Sequence, residues 1–110
     1  MSDASVPDSD MPVLDEVVRM TMDSADRSGL EPRSYFMVRI AALAATGAGP
    51  GAWVANLGAA ADSGVTRDDV QSVLVAVAPV IGTARTVSAV GNALRGVGLA
   101  AAAADEDLDV

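Results

Sequence analysis

From Ile40 to Ala61 the chain runs for 22 residues without a charge, and the run is broken at its centre by Gly47-Ala48-Gly49-Pro50-Gly51. An unbroken apolar stretch of about 20 residues could cross a bilayer as a helix. The Gly/Pro cluster forbids that, because glycine adds backbone freedom and proline removes a helical hydrogen bond. The run therefore predicts two short helices joined by a turn. With almost no polar face, both must be buried against other elements, so the chain is constrained to a bundle.

The flanking sequence supplies the other elements. Leu14, Val17, Val18, Thr21 and Ala25 keep the spacing of one helical face, predicting a helix from about Val13 to Ser28 that stops at Gly29. Asp15 with Arg19 and Asp23 with Arg27 stand four apart on its polar side. A second helix opens at Pro32 and Ser34, carries Tyr35, Phe36, Val38, Ile40 and Leu43, and ends near Ala45. A third runs from near Pro50 to near Ser63, with Gly64 in the left-handed position beyond it. Thr66-Arg67-Asp68-Asp69 places a hydroxyl at the N-cap and a carboxylate three residues on, a capping signature for a fourth helix. Val70, Val73, Leu74, Val77 and Ile81 form one face of that helix. Val75 and Val80 form another, which predicts burial on more than one side. Pro79 should kink or end it. A fifth helix follows Gly82, from about Thr83 to Ala103, and contains Gly91 and Gly98. Each of these glycines costs about 1 kcal/mol unless a close helix contact compensates. No segment alternates as a strand does. The expected fold is all-α, a compact bundle of about five helices spanning residues 13–104, between disordered acidic tails at 1–12 and 105–110.

Three absences limit the chemistry. The chain has no Cys, no His and no Lys. Without Cys there is no thiolate nucleophile, disulfide or thiolate metal site. Without His the commonest general base is missing. No metal-ligand spacing occurs, and no cofactor is expected. The net charge of −8 is carried by the tails, since residues 13–104 hold eight acids against seven Arg. No basic cluster exists to neutralise phosphates, so a nucleic-acid partner is not expected. No secretory signal or membrane span is visible, and a cytoplasmic location is the default. Half the residues are apolar, yet Tyr35, Phe36 and Trp53 are the only aromatics. So much small apolar surface points to burial against further copies of the chain.

A few polar or aromatic residues stand inside apolar helices. Arg39 lies between Val38 and Ile40. It suits either an ion pair with Asp69 or Asp62, or a clamp on a small carboxylate. Asn56, in an Ala-rich helix, either bonds a neighbouring backbone group or orients a ligand carbonyl. Arg85, Ser88, Asn92 and Arg95 form a stripe that is a solvated face or a pocket wall. Trp53 and Tyr35 are core residues or ligand platforms.

The stretch from Asn56 to Val70, with Gly64-Val65-Thr66-Arg67-Asp68-Asp69-Val70 at its end and the turn Gly82-Thr83-Ala84-Arg85 beyond, resembles the carboxymuconolactone decarboxylase / alkyl hydroperoxidase D-like family. The resemblance covers roughly Tyr35 to Leu99. It implies an alkyl hydroperoxidase D-like helical fold and a trimer or dimer of trimers with pockets near subunit contacts. Redox members carry Cys-x-x-Cys-x-x-x-His. Counted back from Gly64, these positions are Gly49, Ala52 and Asn56 here, and the position of a proton-relaying Glu falls near Met37. None of the four reactive groups is present, so thiol peroxidase chemistry is excluded by composition. The expectation is a homo-oligomeric family member that binds a small organic carboxylate or lactone through Asn56, Trp53, Arg39, Tyr35 and Arg85. Asn56 and Arg39 are the candidates for any catalysis. The alternatives are a His-free lyase or isomerase on such a ligand, or a non-catalytic structural or interaction module.

Overall fold

Proline opens three of the five helices, where its missing N–H has no helical acceptor to lose and its fixed φ suits the first turn. The computed structural model describes residues 11–108. They form α1 (Pro12–Ser28), α2 (Pro32–Thr46), α3 (Pro50–Asp62), α4 (Arg67–Ile81) and α5 (Thr83–Leu108), with no strand among the described residues. The predicted bounds agree within about two residues except at the end of α5. There the alanines after Leu99, the best helix formers, carry the helix past Ala103 to Leu108. The tail expected to be disordered from residue 105 is thus helical through Leu108. Residues 1–10 and 109–110 lie outside the described residues.

The chain divides into two units, Met1–Leu30 and Glu31–Val110. The first contains α1, which ends at Gly29 with φ 72°. Arg27 pairs with Asp23 at 3.6 Å as expected, whereas Arg19 meets Glu16 at 3.7 Å rather than Asp15. Both pairs are exposed and contribute little.

The second unit is the four-helix bundle α2–α5. α3 packs on α5, and α2 packs on α3, α4 and α5. Trp53 and Ile40 are fully buried, and Phe36, Leu74 and Val73 join them. Ala44, Ala60 and Ala89 are buried where the helices draw together. Gly96 marks the closest approach: a Cβ there would stand 3.1 Å from the Pro50 carbonyl oxygen and 3.2 Å from Trp53 Cβ. The sequence drew attention to Gly91 and Gly98 instead. A Cβ on Gly98 would meet nothing within 4 Å, and one on Gly91 would meet only the Arg95 side chain.

The turns close as their glycines require. Gly64, at φ 91°, lets its own N–H reach Ala61 and the Val65 N–H reach Ala60, so two last-turn carbonyls of α3 are satisfied. Gly47, at φ 71°, does the same for α2 through Ala44 and Leu43. The capping box predicted at Thr66 is present in both directions. Pro79 lies inside α4, and the helix ends two residues later at Ile81.

A further expectation fails. The second face of α4 is not buried: Val75 is 73% and Val80 86% exposed. Only α2 and α5 pack on α4, which leaves its other apolar row uncovered. Val87, Val90, Leu94 and Val97 continue this uncovered surface on α5.

Candidate functional site

Four of the five residues singled out for binding come from facing turns of α2 and α3. Tyr35 and Arg39 are one turn apart on α2, and Trp53 and Asn56 are one turn apart on α3, so each pair shares a helical face. The Arg39 Nε donates to Asn56 Oδ1 at 2.8 Å, and a terminal nitrogen of Arg39 donates to the Tyr35 hydroxyl at 2.7 Å. The Arg39 guanidinium carbon also stands 5.2 Å from the centre of the Tyr35 ring, within cation–π range. Tyr35 meets Phe36 edge to face at 5.1 Å. Asn56, 8% exposed, completes its amide by donating from Nδ2 to the Ala52 carbonyl at 2.8 Å.

Asn56 bonds a neighbouring backbone group, one of the two uses weighed for it, and its Oδ1 also accepts from Arg39. Trp53 is core, with no exposed surface. Its indole Nε1 is buried without a hydrogen-bond partner, the only such side-chain atom among the described residues.

Arg85 stands elsewhere. It is exposed and donates to the Ala45 carbonyl in the last turn of α2, so it caps that helix across 40 residues of sequence. Along the same stripe, Arg95 donates to Asn92 at 2.9 Å. Asp69, one of the two carboxylates weighed as a partner for Arg39, is held by Arg33 at 2.7 Å. Arg33 thereby ties the first turn of α2 to the first turn of α4, a link that was not read from sequence because nothing in the local pattern pairs residues 36 apart. The Thr66 backbone N–H donates to the Asp69 carboxylate at 2.8 Å and holds its pKa below the ordinary value. The Thr66 hydroxyl and the Arg33 charge act in the same direction.

One opening in the bundle lies away from this cluster. It is an apolar groove of about 780 Å³ along α4 and α5, walled by Val70, Val75, Val90, Leu94 and Val97, with Arg67 at its rim. None of Tyr35, Arg39, Trp53, Asn56 and Arg85 lines it. Among the described residues, the Arg67 side chain has no hydrogen-bond or ion-pair partner. Among the described residues no group of three or more Asp or Glu is placed to hold a metal ion, and no helix is long and apolar enough to cross a membrane.

The fold and the site define a protein that is helical across its described residues, with an arginine–amide–phenol cluster between the buried faces of α2 and α3. The carboxymuconolactone decarboxylase family model matches residues 12–95, and the chain belongs to that family. No curated protein and no solved structure matches it.

Proposed function

We propose that this family member works without thiol redox chemistry, assembles as a homo-oligomer, and binds a small organic carboxylate or lactone where α2 meets α3. The observation that carries the ligand reading is the Trp53 Nε1 donor, which is buried without an acceptor one turn from Asn56 on the same face of α3. A buried donor left unmade costs about 1–3 kcal/mol. A carboxylate or carbonyl oxygen is the acceptor it lacks. On the facing turn of α2, the Arg39 guanidinium is oriented by Asn56 and Tyr35, and a guanidinium is the planar group that matches a carboxylate. The whole sequence has no Cys and no His, and an amide does not titrate, so the site is built to bind and orient. The homo-oligomer is supported by the large apolar side chains left exposed on α4 and α5.

The test is thermal unfolding of the wild type, Trp53→Phe and Arg39→Gln with a panel of small carboxylates and lactones. A ligand at about 100 times its Kd stabilises by about 2.7 kcal/mol. The wild type should respond to at least one compound. Trp53→Phe, which keeps a ring but loses the N–H, should respond less, and Arg39→Gln least. A wild type unmoved by every compound removes the ligand reading.

A second reading, a non-catalytic structural or interaction module, is favoured by the Asn56 amide, whose oxygen and nitrogen are both engaged within the chain. On that reading the cluster is a strut that locks α3 to α2. Asn56→Ala would then lower stability and change no binding property.

A further inference from the structure

α1 and the α4–α5 groove are complementary in length, polarity and charge. A helix of 17 residues is marginal in water by itself, and an amphipathic one becomes stable when its apolar stripe is buried. The α1 stripe, Leu14 to Ala25, spans eleven residue steps, or about 17 Å at 1.5 Å per residue. The groove runs beside α4 from Arg67 to Pro79, twelve steps or about 18 Å. Its walls are aliphatic, as the stripe is. The one charged residue lining it is Arg67, whose side chain has no partner among the described residues. α1 carries the opposite balance, with Asp15, Glu16, Asp23 and Asp26 against Arg19 and Arg27.

A single helix does not cover all the apolar surface here. Val80 and Val87, 86% and 65% exposed, lie beyond the groove near the α4–α5 turn and stay uncovered when one helix fills it. A whole second molecule can cover both. We infer that a second copy of this chain occupies this face and seats the Leu14–Val17–Val18 stripe of its α1 in the groove. The inference rests on the homo-oligomer part of the proposed function and adds which surfaces meet.

The experiment is light scattering on the full chain with Val17→Lys, Leu94→Glu and the double variant, each checked for helicity by circular dichroism. Val17 is 44% and Leu94 62% exposed, so both charges can be placed without opening the core. Each single variant should fall to the monomer mass at a concentration where the wild type is associated, and the double variant should recover association. The absence of cysteine allows a second measurement. Val17→Cys/Leu94→Cys, oxidised, should give disulfide-linked dimers or higher species, while each single-cysteine chain should not.

An oligomer whose mass ignores both charges, or singles that dissociate with no recovery in the double, overturns the inference and leaves the homo-oligomer standing. A double-cysteine chain that closes only on itself also overturns it, because the groove then takes its own α1. A wild type that is monomeric at every concentration removes both.

Discussion

Helix α5 has two apolar faces with opposite fates. On one, Ala89 and Gly96 are buried, and the Gly96 backbone lies against Pro50 and Trp53 of α3. On the other, Val90, Leu94 and Val97 are 44%, 62% and 55% exposed along the groove shared with α4. The packed face is made of small residues and the open face of large ones. Close packing between helices is set by how near the backbones come, so glycine and alanine mark the tight contact while the bulkier aliphatics stay on the open side. Hydrophobicity by itself would have ranked the two faces the other way.

The largest expected break of this comparison is at the packed face. Trp53→Ala should destabilise the bundle by about 3–5 kcal/mol, because a fully buried indole leaves a cavity that α3 and α5 cannot close. Urea unfolding measures it, and a loss below about 1 kcal/mol would mean that the α3–α5 contact is not the core.

The glycine pair sharpens the contrast. Gly96→Ala should destabilise by about 1–2 kcal/mol, since the new methyl meets the Pro50 carbonyl and Trp53 Cβ, neither of which is a flexible end. Gly98→Ala, two residues away in open space, should stabilise by up to about 1 kcal/mol through helix propensity alone. Equal effects at the two positions would show that α5 is rotated from the arrangement described.

The smallest expected effect concerns the cap at the Arg67 end of the groove, and it is a pH dependence. Asp69 has a folded-state pKa below its ordinary value, so the ionised form favours folding. That contribution is fully present above the unfolded carboxylate pKa and is lost as pH falls through the lowered folded value. Asp69→Asn should therefore be less stable than the wild type near neutrality, with the gap closing in acid below about pH 4. Urea midpoints at both pH values read it, and a gap of constant size would mean that the charge contributes nothing.

Much of the site was legible in part. The oddity of Arg39 and Asn56 inside apolar helices drew attention to both, and the structure joins them by a hydrogen bond. That they meet each other was not legible, because 17 residues and a Gly/Pro turn separate them and only the α2–α3 crossing sets their register. Arg85 was singled out as part of the polar stripe on α5, and its reach ends on a backbone carbonyl of α2. The Trp53 donor was invisible in sequence, since any buried tryptophan would be expected to find an acceptor.

What the sequence determined by itself is local. The Gly/Pro break at residues 47–51, the Thr66 box and the three-and-four spacing set five helices and most of their ends, because capping and periodicity act over a few residues. Which faces of those helices became interior was decided only in the tertiary structure. Val75 and Leu94 carry the same apolar signal as Val73 and Leu74, and burial depends on which neighbouring helix arrives, a long-range outcome that no short window encodes.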